Sequence, residues 1–239
     1  KEWLSTKQYN VGSSVNSLNN RTGYSMEDKP VPHGIDVIYS DERIVVLDKP
    51  TNMLSVPGIG PEKRDCVALR VASVIKGARI VHRLDRDTSG VLIMANDAEA
   101  HRELSRQFQD REVSKIYEAV VAGVVQEDTG LIDLPIRKDI ENPPRQCVDH
   151  VQGRASQTRW NVIERTGDRT RLALYPYTGR SHQLRLHLRE IGHPILGDDL
   201  YATPAQQEMA ERLLLHAVSL SIVHPETAGP MTFESQVPF

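Results

Sequence analysis

The chain has 239 residues, of which 26% are charged, with 29 Lys and Arg against 32 Asp and Glu and a formal net charge of -3. That length supports one large domain or two small ones around a substantial core. The near balance of charge excludes a uniformly basic nucleic-acid binder but leaves room for a local basic face. Cys66 and Cys147 lie far apart with no CxxC partner, which argues for two reduced thiols rather than a disulfide or zinc framework. No apolar run approaches the roughly 20 residues of a membrane span.

In chain order, residues 1–34 read as a flexible N-terminal arm, since NVGSSVNSLNNRTGYS is rich in Asn, Ser and Gly and has no amphipathic period. From Ile35 the pattern becomes dense. IDVIY and IVVLD read as strands separated by a Ser-Asp-Glu-Arg turn. VALRVASVIKG reads as a helix closed by Gly77. ARIVH and VLIMA read as strands on either side of HRLDRDTSG. Asn96 or Asp97 is placed to cap a helix running from Ala98 to Phe108. YEAVVAGVV, TRWNVIER and TRLALYPY are strand-like. Ser181 is the expected cap of HQLRLHLREI, Gly192 its stop, and Leu184, Leu188 and Ile191 its buried stripe. A polar helix over Ala205–Arg212, the strand LLLHAVSLSIV and a last strand MTFES complete the chain. Strands outnumber helices and mostly follow one another directly. That pattern predicts an α+β fold with a mixed, largely antiparallel sheet, formed by one domain over residues 35–239.

Most familiar chemistries fail on spacing. His182 and His187 are five apart, which shares no face on a helix or a strand, so no metal site is expected. Ser89 sits in TSG rather than in G-x-S-x-G, and the loop of Gly58 and Gly60 lacks a following Lys-Ser/Thr for phosphate binding. The basic segments say more. Arg83 and Arg86 bracket Asp85 at a strand-to-strand junction. Arg137, Lys138 and Arg145 flank the Pro-rich IENPPR. Arg180 precedes a helix on which Arg185 and Arg189, four apart, are expected to share a solvated face opposite the apolar stripe.

HRLDRDTSGVLIMA, VVLDKPTNMLSVPG, SKIYEAVVAG and YTGRSHQLRLHLREIGHPILGDDLY followed by RLLLHAVSL resemble, in this order, the motifs of the RluA-type RNA pseudouridine synthases. The match runs from about residue 35 to the C-terminus, and its details are nearest to members acting on both large-subunit ribosomal RNA and tRNA. Ser181 and Leu184 stand where Thr and Ile are usual. The S4-like module of some relatives is not recognisable in residues 1–34. The resemblance implies the family fold, with flanking helices around a central RNA-binding cleft. It also implies isomerisation of a uridine in a structured RNA loop: the N1–C1′ bond breaks, the uracil turns, and C5 rejoins C1′.

By that resemblance Asp85 is the catalytic aspartate, as a nucleophile or as a base at the sugar. Arg180 is its basic partner, Tyr117 packs on the uracil or assists removal of the C5 proton, and Arg83 enters the RNA stack where the target leaves it. Chemistry at C1′ and C5 requires the nucleotide to be flipped out, and a planar guanidinium suits the vacated stack. No cofactor or metal is implied. The expected partner is RNA, the expected state a monomer, and the expected compartment the cytoplasm, or an organelle where a leader has been removed. The rival reading is a non-catalytic RNA-binding or RNA-chaperone protein on the same fold.

Overall fold

The computed structural model describes residues 32–239, so the arm expected over residues 1–34 lies almost wholly outside the described residues. The strands are β1 (Asp36–Ser40), β2 (Ile44–Lys49), β3 (Arg79–Ile80), β4 (Ser89–Ala95), β5 (Ser114–Ala122), β6 (Thr129–Asp133), β7 (Ile136–Lys138), β8 (Gln146–Val148), β9 (Gln157–Thr166), β10 (Arg169–Pro176), β11 (Leu215–Val223) and β12 (Pro230–Glu234). The helices are α1 (Val67–Val74), α2 (Ala98–Gln109), α3 (Gln183–Glu190) and α4 (Pro204–Gln207). Ten strands form one sheet in the order β1-β2-β4-β11-β5-β10-β9-β6, with β12 added on β11 and β3 on β4, while β7 and β8 make a separate hairpin. Every pairing in the sheet is antiparallel except β4 with β11. The fold is therefore α+β with the expected mixed, largely antiparallel sheet. No helix among the described residues is long and apolar enough to cross a membrane.

Strand periodicity divides the core between the two faces of the sheet. In β2 and β4, Ile44, Val46, Val91 and Ile93 face one side, where Ala100 and Leu104 of α2 cover them. Val45, Leu47, Leu92 and Met94 face the other, under Val67 and Val71 of α1. Each such side chain, fully withdrawn from water, contributes about 1.5–3 kcal/mol, which explains why VLIMA is continuously apolar rather than alternating. The far half repeats the scheme, with Ala119 and Val121 of β5 packed against Leu184 and Leu188 of α3. Asp97 caps α2 by accepting from Glu99 N (2.8 Å) and Ala100 N (3.0 Å).

Several elements depart from the sequence expectation. ARIVH keeps only Arg79–Ile80 in the sheet, because the His82 imidazole leaves the strand and accepts from Ile93 N–H (3.2 Å). The helix expected over 205–212 stops at Gln207. Beyond it Leu214 N binds Leu196 O (3.0 Å), and Gly197 packs against the Arg212 carbonyl so closely that a Cβ would collide with it. Ser181 does not cap α3. The cap is His182, in a left-handed conformation (φ 53) and without a side-chain cap bond, while the Gln183 amide oxygen pins the preceding turn by accepting from Arg180 N (3.0 Å) and Thr178 Oγ1 (2.7 Å).

That shift changes which faces of α3 are covered. Gln183 to Leu188 are all buried, so the helix has no solvated stripe along its first six residues. Arg185, expected on a solvated face, is only 2% exposed, whereas Arg189 is half exposed.

Candidate active site

The loop His82–Thr88 joins β3 to β4 and is held from behind at nearly every residue. Lys49, at the end of β2 and fully buried, donates to the carbonyls of Pro50 (2.8 Å), Met53 (2.7 Å) and Arg86 (2.9 Å). Ser55 donates to Leu84 O (2.7 Å) and accepts from Leu84 N (3.1 Å). Met53 N donates to Arg86 O (3.1 Å), Thr51 Oγ1 to Asp87 O (2.8 Å), and Thr88 N closes a turn on Asp85 O (3.2 Å). Leu84 points into the core (5% exposed), so the extended backbone turns Arg83 and Asp85 outward, with Arg83 exposed and Asp85 half-buried. Burial pushes the Lys49 ammonium down to about 7, opposed by the charges of Asp87 and Asp85. Three carbonyls converge on its three hydrogens, an arrangement that the ammonium form alone fills completely.

Thr88-Ser89-Gly90 carries the loop back into the sheet. At Gly90 the backbone has φ 110 and lies opposite Ala217 of β11, whose carbonyl and amide occupy the place of a Cβ. Only glycine fits there. Ser89 Oγ pairs with His216 Nδ1 (2.8 Å) and accepts from Arg212 Nη2 (2.6 Å), which anchors the start of β4.

Around Asp85 the structure gathers Lys49, Tyr117, His182, Arg185 and Tyr201, all of which feel its charge. Tyr117 stands in mid-β5 opposite Ala217 of β11 and Leu174 of β10, packed against both neighbouring cores. Burial and then the Asp85 charge hold its phenol well above the ordinary tyrosine range, so it is neutral at physiological pH. Arg185 binds Asp198 through Nε (2.7 Å) and Nη2 (2.5 Å) and reaches Asp199 (2.7 Å). Burial works against its charge, but the Asp198 hydrogen bonds and charge outweigh it, with Asp199 and Asp85 adding to the same side. Its guanidinium also lies 5.4 Å from the Tyr201 ring centroid. The Tyr201 hydroxyl pairs with His182 Nδ1 (2.9 Å) and accepts from Gln146 N (2.7 Å), which ties the β7–β8 hairpin to the site.

Arg180, the expected basic partner of Asp85, lies among other cations in this structure. Among the described residues Arg180 makes no ion pair with Asp85, and its charged neighbours are Arg154 and Arg111. It belongs to the turn before the left-handed break at His182, whereas Arg185 follows that break, on the inner face of α3. Of the two, Arg185 is the one that feels the charge of Asp85. Arg86, adjacent to the acid, instead pairs with Asp87 (2.9 Å) and approaches Asp199 (3.8 Å), linking the loop to the Asp198–Asp199 segment. Arg83 has no side-chain partner among the described residues. The histidines serve structure: His187 pairs with Thr158 (2.9 Å) and Leu134 O (3.0 Å), and burial, with Lys115 nearby, pushes His82 down to about 3. Among the described residues no three His, Cys, Asp or Glu side chains group as metal ligands would.

Comparison with known proteins decides what this arrangement belongs to. A family model described as RNA pseudouridylate synthase matches residues 43–190, a span that includes Lys49, Asp85, Tyr117 and Arg185. The chain belongs to the RNA pseudouridylate synthase family. It is 50% identical over 204 residues to the dual-specificity RNA pseudouridine synthase RluA of Yersinia pestis, covering 85% of this chain and 99% of that protein. Against RluA of Escherichia coli K12 the identity is 47%, covering 85% and 93%, and against RluA of Haemophilus influenzae 44%, covering 88% and 96%.

Among solved structures, human RNA pseudouridylate synthase domain containing 1 superposes with a TM-score of 0.74 at 26% identity, covering 89% of this chain and 87% of that one. Human RNA pseudouridylate synthase domain containing 4 shares the fold, with a TM-score of 0.68 at 22% identity. This protein is therefore an RNA pseudouridine synthase.

For a pseudouridine synthase the sequence reading overlooked Arg185, Lys49 and Tyr201. A signal for the first existed in GDDLY, since two adjacent acids thirteen and fourteen residues downstream offer a buried arginine its partners. No comparable signal marks Lys49, because its acceptors are backbone carbonyls, which every residue has.

Proposed function

We propose that this synthase isomerises uridines in structured loops of large-subunit ribosomal RNA and tRNA, with Asp85 as the reacting carboxylate. In this reading the target nucleotide is flipped into the cleft. Asp85 acts at the sugar while the N1–C1′ bond breaks, the uracil turns in place, and C5 bonds to C1′. The proton lost from C5 is balanced by one gained at N1, so the atoms balance without a second substrate or a cofactor. Uracil stays within the enzyme, which is why one carboxylate suffices where glycosidases use two.

The observation that carries the proposal is the outward-facing Asp85 on a loop whose flanking residues are latched to Lys49, Ser55 and Thr51. Such a rigid mount holds a reacting group in place without reorganisation. Arg185 keeps a positive charge near the carboxylate, with Asp198 and Asp199 holding it in place. Tyr117, neutral and wedged between two cores, is suited to be the wall on which the uracil packs rather than a proton acceptor. Arg83, exposed and unpaired two residues before the acid, is free to enter the RNA stack. Arg180, among other cations, contributes to RNA binding. We assign catalysis to a single domain over residues 35–239 working as a monomer, since one chain supplies every group named, and we place it in the cytoplasm or in an organelle.

The test is to incubate RNA with the wild type and with Asp85→Asn and to map pseudouridine by carbodiimide-dependent primer-extension stops. Stops made by the wild type in a tRNA or large-subunit transcript, and absent with Asp85→Asn, support the proposal. Full activity of Asp85→Asn would remove Asp85 from its role, and stops in neither RNA would remove the substrate assignment.

A further inference from the structure

Four cations stand without an acid where the catalytic loop meets the turn before α3. Arg111 follows α2 with a left-handed backbone (φ 62). Lys115 lies on β5 two residues before Tyr117 and so faces the same side of the sheet. Arg154 sits on the segment that bridges to Ile136, and Arg180 on the turn Thr178–Arg180. The four are neighbours. A Cβ on Gly179 would lie 3.7 Å from Lys115 Nζ, and Arg180 Nη2 reaches the carbonyl of Ala155 (3.5 Å), next to Arg154. Arg154 and Arg111 both repel the Arg180 charge, and burial disfavours it further. The Lys115 charge reaches His82, three residues before Asp85, so the cluster adjoins the catalytic loop.

These four lie together and share the lack of any counter-ion. Arg43, Arg106, Arg137, Arg165 and Arg171 each meet an Asp or Glu. Among the described residues none of the four side chains has a carboxylate partner, and Arg180 Nε is buried with no acceptor at all. In a chain of net charge -3, such a group is a local device rather than a by-product of basic composition. A buried guanidinium donor left open costs stability unless a ligand fills it, and clustered cations invite a polyanion.

We propose that Arg111, Lys115, Arg154 and Arg180 form a binding site for the RNA sugar–phosphate backbone beside the flipped nucleotide. This rests on the reading of Asp85 as the reacting group. The site grips phosphate and reads no base, so it positions the strand on which Asp85 acts and serves every substrate RNA alike.

The test uses two unmodified in vitro transcripts, a tRNA and a large-subunit ribosomal RNA fragment, and filter binding to the intact protein in the Asp85→Asn background over a range of KCl concentrations. Each lost phosphate contact lowers the magnitude of the slope of log K against log[salt] by about 0.7–0.9. Arg111→Gln/Arg154→Gln is therefore expected to lower it by about 1.4–1.8, with affinity down on the order of tenfold at moderate salt. Its melting temperature should stay level or rise at low salt, because repulsion is relieved. Arg102→Gln, on the exposed side of α2, serves as the control and should leave the slope unchanged. An unchanged slope in the double variant, or an equal loss with Arg102→Gln, overturns the site while wild-type conversion leaves the enzyme reading standing. Wild-type protein that neither binds nor converts either transcript overturns both.

Discussion

Replacing Arg185 by Met tests whether the cation serving Asp85 is also a keystone of the fold. The side chain is 2% exposed and its partner Asp198 is 0% exposed. The substitution deletes guanidinium bonds of 2.7 and 2.5 Å, while the Asp198 carboxylate keeps the N–H groups of Leu200 (2.8 Å) and Tyr201 (2.9 Å). Stripping one member from a buried ion pair costs about 3–5 kcal/mol, and the two surviving backbone donors put this case near the lower end, about 3 kcal/mol. At about 2–4 °C per kcal/mol for a chain of this size, the expected fall in Tm is roughly 6–12 °C. Arg185→Met/Asp198→Asn removes both charges and should recover most of that loss by calorimetry. It should not recover turnover, because Asp85 still lacks its positive neighbour. A single variant melting within about 2 °C of wild type, or a double variant regaining turnover together with Tm, would refute the reasoning.

Three further outcomes are expected. The Lys49 ammonium is depressed to about 7 in the folded chain, so the unfolded chain binds the extra proton between about pH 7 and the ordinary lysine value of about 10.4. The stability contributed by this group therefore rises with pH across that window and is lost as pH falls through about 7. Urea titrations from pH 6.5 to 9.5 should show wild type gaining on Lys49→Met by at most about 1.4 kcal/mol per pH unit, and parallel curves would contradict this. Gly90→Ala forces a methyl onto the Ala217 backbone at φ 110 and should lower unfolding free energy by about 3 kcal/mol, while wild-type-like melts would show that β4 and β11 can separate. Arg83→Ala removes an exposed, unpaired side chain, so Tm should hold and RNA affinity should stay within about tenfold while single-turnover conversion collapses. Unchanged conversion would count against a role for Arg83 in the RNA stack.

Much of the frame is legible in order along the chain. The apolar runs at Ile44–Leu47 and Val91–Ala95, the Asp97 cap and the Gly192 stop are local signals, each decided by neighbours within a turn or a strand. HRLD is recognisable as a junction because the apolar pattern stops at His82 and resumes at Val91. The hairpin of β7 and β8 escapes such reading, since three-residue strands carry too short a pattern and Tyr201, far downstream, helps hold them.

The electrostatics of the site follow a different rule. Residue types and spacing determine by themselves that one acid stands among arginines at a strand junction, and the ordered motifs determine the family. They do not determine which arginine serves that acid. His182 breaks the chain in a left-handed turn, α3 starts one residue later than its expected cap implies, and the sheet on one side with Ile136, Asp198 and Tyr201 on the other buries its first six residues. Arg185 thereby goes inside to Asp198 while Arg180 is left with Arg154 and Arg111. Charge acts through space over a few ångströms, so its partners are set by tertiary packing, which the linear order of residues leaves open.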